Sequence, residues 1–335
     1  MRLRQKLLCC VITLFLACGQ AFAWGPDGHH TVGAIADHLI AGSHAAVEVK
    51  KILGDLSLQD ASVWADCAKG VDPSKDYTYQ TVGKYPECRV YETPALEAEM
   101  SDFVRRNDKN CTPKPGEESC HKQYHYTDVA IQHDHYDRNF VGTRDDDIVA
   151  AIAAAIHVLK GDPAPAPFSL KDKREALLVL THYVGDIHQP LHVGAVYLDT
   201  KGKRVYPDAG TFNLKTSTRG GNEITVAGKS RNLHALWDEI PASLTVSHMN
   251  AALLKQAEAI PATNGQLFAW PTTWASDTLR VAKQAFKGLN FGNLQNGHWN
   301  ATLPNSYGKK MFSIKQKQLV KAGAHLAQLL QAIWP

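Results

Sequence analysis

Three histidines stand four residues before an aspartate in this chain: His182 before Asp186, His234 before Asp238, and His133 before Asp137. On a helix that spacing puts both side chains on one face, a turn apart, where they can grip one metal ion. The chain holds 16 His and 33 Asp+Glu, so one or two such pairs arise by chance and the surroundings of each decide its weight. His182 and Asp186 fall among Leu177, Leu178, Leu180, Tyr183 and Val184 on the apolar side of a predicted helix. A carboxylate and an imidazole buried there need each other or a cation. His188 and His192 flank Pro190, which ends that helix, so further ligands can converge from the following loop.

A second place for chemistry is the amino terminus of the mature chain. Residues 1–23 read as a secretory signal peptide: a basic start (MRLRQK), an apolar run (LLCCVITLFLAC) and a small-residue end, Ala21-Phe22-Ala23. A lipidation site at Cys18 competes, although Phe15 fits poorly where an aliphatic residue is expected. Cleavage after Ala23 makes Trp24 the first residue, whose free amine and carbonyl form a five-membered chelate. His29 follows five residues on, behind two glycines and a proline that bend the chain back. No later stretch approaches ~18 uninterrupted apolar residues, so the mature chain, 24–335, is expected to be secreted or periplasmic, without a stable membrane anchor.

The 36 Lys+Arg exceed the 33 Asp+Glu by the three basic residues of the signal, Arg2, Arg4 and Lys6. The mature chain is therefore balanced and lacks the cationic stripe of a duplex-binding protein; any field for a polyanion must come from bound metal. Four cysteines remain after the signal: Cys67, Cys88, Cys111 and Cys120. An exported chain with an even number predicts two disulfides, and loop-closure entropy favours the near partners, Cys67 with Cys88 and Cys111 with Cys120. No Cys-x-x-Cys spacing supports a cysteine metal site. Asn110-Cys111-Thr112 and Asn300-Ala301-Thr302 fit the glycosylation acceptor pattern.

Taken in order, several strings resemble the zinc-dependent single-strand-specific nucleases of the S1/P1 type. They are WGPDGHH at 24–30, VWADCAK at 63–69, YHYTDV at 124–129, LTHYVGDIHQPLHVG at 180–194, GGN at 220–222 and NLHALWD at 232–238. The resemblance implies three zinc ions. One would take Asp66, His125, His182 and one oxygen of Asp186; another the second oxygen of Asp186, His29 and the amine and carbonyl of Trp24; the third His192, His234 and Asp238. Asp66 would also orient the attacking water, Lys69 would touch the phosphate, Tyr126 would stack on a base, and Asp128 would accept a hydrogen bond from it. Only an unpaired base offers its face and its pairing edge together. The implied activity is endonucleolytic hydrolysis of single-stranded DNA and RNA to nucleoside 5′-phosphates, with 3′-nucleotidase activity, by a monomer.

The same resemblance reaches zinc-dependent phospholipase C, which shares the fold and the amino-terminal Trp, but Glu is expected there where this chain has Asp238. A non-catalytic exported zinc protein would need the ligands but not Asp66 in its second role, Lys69, Tyr126 or Asp128. His30, His38, His44, His133, His135, His157, His248, His298 and His325 match no family ligand and read as surface or core histidines. For His188 a hydrogen bond in support of a ligand is expected rather than ligation.

The elements that must position these residues read as mainly helical: an all-α single domain of the phospholipase C and S1/P1 nuclease type. Helices are predicted over 29–41, 44–53, 144–160, from a Ser169/Asp172 capping box to Pro190, from an Asn232 cap to Pro241, and over 315–333. The stretch GDPAPAP at 161–167 is a loop between helices. Residues 195–229 read instead as a small β-hairpin excursion, which fills the unusually long interval from His192 to His234. Residues 132–147 and 288–305 also look like local additions to the family pattern.

Overall fold

The computed structural model describes residues 24–108, 110–111, 118–210 and 212–335; the signal segment 1–23, its cleavage site and Thr112 of the first acceptor pattern lie outside the described residues. The α-helices in chain order are α1 (Pro26–Ile40), α2 (His44–Leu53), α3 (Leu58–Ala61), α4 (Trp64–Ala68), α5 (Pro94–Asn107), α6 (Cys120–Gln123), α7 (Ile148–Lys160), α8 (Lys173–Asp186), α9 (Leu233–Asp238), α10 (Ala251–Glu258), α11 (Trp270–Ala285) and α12 (Tyr307–Ile333). The short strands are β1 (Val71–Asp72), β2 (Thr78–Tyr79), β3 (Val129–Ala130), β4 (Gly194–Ala195), β5 (Tyr197–Leu198), β6 (Arg204–Val205), β7 (Ile224–Val226), β8 (Asn290–Gln295) and β9 (His298–Thr302). The mainly helical class holds, and both expected disulfides, Cys67–Cys88 and Cys111–Cys120, are formed.

Local chemistry sets the helix ends. Ser43 caps α2, Asp147 caps α7 through the N–H groups of Val149 and Ala150, and Asn232 caps α9. The predicted Ser169/Asp172 box is corrected: Asp172 alone caps α8, accepting from the Glu175 N–H at 2.8 Å. Ser169 faces α5 instead, accepting from Arg106 and donating its N–H to Asn107. Pro26 opens α1 earlier than the apolar spacing indicates, because proline costs nothing in a first turn. The last helix likewise begins at Tyr307 rather than near Lys315. Helices α3, α4, α5, α6, α10 and α11 are additions to the sequence reading.

Helix α8 is the axis of the molecule. Every residue from Glu175 to Asp186 is buried, so the helix is wrapped on all sides by others. Helices α1, α3, α4, α7 and α12 pack around it, and α1 lies along α12. The excursion at 195–229 contains the β5–β6 hairpin and β7. A second hairpin, β8–β9, lies at 290–302, and β9 pairs with β7 in parallel to complete a three-stranded sheet. Its turn is Asn296-Gly297, both residues with positive φ, between the alternating apolar residues Leu294 and Trp299, Ala301. That is a hairpin signal in plain sequence, masked by the Asn and Gly content of the segment. No described helix is long and apolar enough to cross a membrane.

Candidate metal centre

Six pieces of chain deliver the nine expected ligands to one region. His29 comes from the first turn of α1, Asp66 from α4, His125 from just after α6, His182 and Asp186 from α8, His192 from the turn after Pro190, and His234 and Asp238 from α9. Trp24 is fully buried beside them, its indole N–H donating to the Gly185 carbonyl at 2.9 Å, and the Gly25 N–H donates to the Asp238 carbonyl at 2.8 Å. Gly185 is small by need: a Cβ there would stand 2.9 Å from Nδ1 of His29.

Asp186 is the hub. Its Oδ2 lies 2.9 Å from His125 Nδ1 and 3.1 Å from His182 Nε2, and its Oδ1 lies 3.1 Å from His29 Nε2. Asp66 Oδ1 is 3.6 Å from His182 Nε2 and 3.8 Å from His125 Nδ1. Three groups of ligand atoms lie close enough to share an ion: His29, Asp66 and His182; His125, His182 and Asp186; and His192, His234 and Asp238.

The protons show whether a cation fits. His182 Nδ1 donates to the Ser62 carbonyl at 2.6 Å, His192 Nδ1 to the His125 carbonyl at 2.8 Å, and His234 Nδ1 to the Gly220 carbonyl at 2.9 Å. Each ring is thereby held as the tautomer whose Nε2 carries a lone pair. The Nε2 atoms of His192 and His234 then face each other at 3.1 Å with no proton between two neutral rings. His29 Nε2 and Asp186 Oδ1 approach without a hydrogen bond, and Asp238 Oδ2 is buried without a hydrogen-bond partner among the described residues, 3.7 Å from His234 Nε2. Buried lone pairs aimed at one another are costly unless a cation takes them. The donor set of imidazole nitrogen and carboxylate oxygen suits zinc.

Electrostatics agree for four of the rings, whereas Asp186 and Asp66 hold His182 above the ordinary histidine range despite its burial. Burial pushes His29 down to about 4 and His234 to about 3, and holds His125 well below and His192 below the ordinary histidine range, so these rings are neutral ligands near pH 7. Burial opposes charge on Asp66, but Lys69 at 2.7 Å and the adjacent histidines hold its carboxyl low. Burial pushes Asp238 well above the usual carboxylate range.

Tyr126 and Asp128 are separated from this cluster only by the turn from His125, and both line a cavity of about 860 Å³. Burial raises the Asp128 carboxyl to about 7, opposed by Arg219 and by a hydrogen bond from the Gly220 N–H. Gly220 thus serves two neighbours, its N–H on Asp128 and its carbonyl on His234. Its φ of 58° lies in the left-handed region, and a Cβ would meet the Leu191 carbonyl oxygen at 2.4 Å.

Two expectations are corrected. His133 pairs with Asp208 at 2.9 Å, not with Asp137, which instead accepts from Asn139. His188 supports no ligand: its Nδ1 meets the Val184 carbonyl and its Nε2 meets His325 Nδ1 on α12 at 2.8 Å. Sequence reasoning missed Gln189, whose amide donates to Asp238 Oδ1 at 2.7 Å, and Lys315, whose buried ammonium binds the Leu236 and Glu239 carbonyls at the end of α9. Gln189 lies inside the HQPLH string, a signal that was present; Lys315, 77 residues beyond Asp238, carried none.

The family model described as S1/P1 Nuclease matches residues 24–335. The chain belongs to the S1/P1 nuclease family. Among relatives, it is 25% identical to Endonuclease 4 of Arabidopsis thaliana over 97% of this chain and 93% of that protein. It is 25% identical to Nuclease S1 of Aspergillus oryzae over 95% of this chain and 94% of that one. A match to Endonuclease 1 of Arabidopsis thaliana reaches 30% identity but spans 48% of this chain and 50% of that protein. As an S1/P1 nuclease the protein is a hydrolase, and its buried histidine–aspartate clusters are candidate metal sites.

Proposed function

We propose that this S1/P1 nuclease is exported, starts at Trp24, and hydrolyses single-stranded DNA and RNA endonucleolytically to nucleoside 5′-phosphates, with 3′-nucleotidase activity, at a centre of three zinc ions. One ion would be held by Asp66, His125, His182 and Asp186, a second by Asp186, His29 and the amine and carbonyl of Trp24, and a third by His192, His234 and Asp238. The observation that carries this reading is the set of unprotonated nitrogens and unpartnered carboxylate oxygens facing one another beside the Tyr126 and Asp128 cavity. The family match beginning at Trp24 supports the same first residue.

Zinc bound there would supply concentrated positive charge and lower the pKa of a nearby water. The side chains do the rest. Lys69, 2.7 Å from Asp66, keeps that carboxylate ionised, so it can accept a hydrogen bond from the attacking water and orient it. The Lys69 ammonium is poised to touch a phosphate oxygen. Tyr126 offers a ring face to an unpaired base, and Asp128 accepts from the base's pairing edge; a duplex has both occupied. Gln189 holds Asp238 in place.

The test is turnover by the purified exported protein on single-stranded DNA, RNA, matched duplex, a 3′-nucleotide and phosphatidylcholine vesicles, with and without chelator. Chelator-sensitive cleavage of the single strands and the 3′-nucleotide, with duplex and lipid spared, is expected. Lipid cleavage beside inert nucleic acid would refute the reading, and full activity in Asp66→Asn would refute the role of that carboxylate.

A further inference from the structure

Three segments far apart in sequence, 132–147, 195–229 and 288–305, all reach the same cavity. The first contributes Phe140 and Arg144, the second Phe212, Leu214 and Lys215, and the third Leu294 and Trp299. They are tied together rather than merely adjacent. Asp208 accepts from the Val141 N–H at 2.7 Å and meets His133, joining the first two. The Trp299 indole N–H donates to the Asp199 carbonyl, and the Leu294 N–H to the Thr200 carbonyl, joining the second and third.

Tyr126 and Asp128 line the cavity, whereas none of the nine expected ligands does. Its volume of about 860 Å³ falls high in the roughly 300–1,000 Å³ range that encloses a whole drug-sized ligand, more than one base requires. Tyr197 bridges its two ends: the phenol donates to the Asp128 carbonyl at 2.7 Å and the ring meets Phe212 edge-on at 6.1 Å. Phe212 and Leu214 are nearly half exposed, an apolar floor that the protein itself leaves uncovered. Lys215, Arg144 and Arg219 ring it; Arg144 is paired with Asp146, and Arg219 with Glu223 and Glu118.

We propose that Phe212, Leu214 and Lys215 form a second nucleotide subsite, which takes the base and phosphate on the 5′ side of the nucleotide held by Tyr126 and Asp128. The inference rests on the nuclease reading above. If the scissile phosphate faces the metals, the strand leaves the held base in the opposite direction, into this cavity. An exposed phenylalanine stacks on any base, and the lysine meets its phosphate.

A deoxynucleoside 3′-phosphate and a dinucleotide carrying the same 3′-terminal phosphate differ by that one 5′ nucleotide. With zinc-loaded enzyme, the initial rate of inorganic phosphate release should favour the dinucleotide in kcat/KM by roughly fivefold or more, the lower end of one stacked base. In Phe212→Ala/Leu214→Ala the preference should collapse towards one, through a raised KM for the dinucleotide. A 2-aminopurine at the 5′ position should be quenched on binding to the wild type and not to the variant. No dinucleotide preference in the wild type, a preference unchanged in the variant, or equal losses on both substrates would overturn the subsite. No phosphate release by the wild type from either substrate would overturn the nuclease reading instead.

Discussion

Gly220→Ala puts the geometry of the site to a quantitative test, because an isostructural control exists in the same molecule. Gly220 has φ +58° and Gly228 has φ +73°, so alanine at either position is forced into the left-handed region. That costs ~1–2 kcal/mol for a residue with a Cβ. At Gly228 nothing lies within 4 Å of the added methyl, whereas at Gly220 it meets the backbone oxygen of Leu191 at 2.4 Å and His234 Nδ1 at 3.2 Å. A backbone oxygen cannot rotate aside, so Gly220→Ala should cost a further ~1–3 kcal/mol as overpacking. The shift that relieves the clash moves the Gly220 carbonyl off His234 and its N–H off Asp128. Denaturant unfolding of the zinc-loaded proteins should place Gly228→Ala about 1–2 kcal/mol and Gly220→Ala about 2–5 kcal/mol below the wild type. Elemental analysis should find zinc lost from Gly220→Ala alone, and its kcat/KM on single-stranded DNA should fall while Gly228→Ala keeps the wild-type value. Equal stability, zinc content and turnover in the two variants would show that Gly220 holds neither His234 nor Asp128.

Asp66→Asn should abolish turnover, and because it strands the buried Lys69 ammonium it should also cost about 3–5 kcal/mol; Asp66→Asn/Lys69→Met should recover stability in urea titrations without recovering activity. Stripping the metals with a chelator should lower the unfolding midpoint, by an amount matching ~2.7 kcal/mol when free zinc had been a hundred times its Kd, and calorimetry against zinc activity checks the slope. One extra residue before Trp24 should remove the chelating amine and lower the zinc count by native mass spectrometry, with the disulfides intact. Since burial raises Asp128 to about 7, its carboxyl is protonated below that pH and ionised above it. KM for a guanine-bearing 3′-nucleotide, whose pairing edge donates, should therefore fall as pH rises through neutrality, and the Asp128→Asn profile should be flat there.

The sequence by itself carried the helical class, the two disulfides and the types and order of the metal-ligand candidates. Those properties follow from local rules: one helical turn sets His182 against Asp186 and His234 against Asp238, short loops choose the cysteine partners, and a cap such as Asn232 sits beside the helix it starts. The same local rules misled where a distant partner won. His133 has an aspartate four residues on but pairs with Asp208, and Ser169 stands at a capping distance but is taken by Arg106 and Asn107 of α5. The β8–β9 hairpin was written in its Asn296-Gly297 turn, yet its parallel pairing with β7 was not. Only the tertiary structure decided which ring nitrogens carry protons, since Ser62 lies 120 residues from the His182 it fixes. It also decided that a single glycine peptide serves both Asp128 and His234, and that three segments far apart in sequence close around one cavity. Hydrogen-bond partners and cavity walls are set by where the backbone packs, and that is a property of the whole chain around the buried α8 rather than of any window along it.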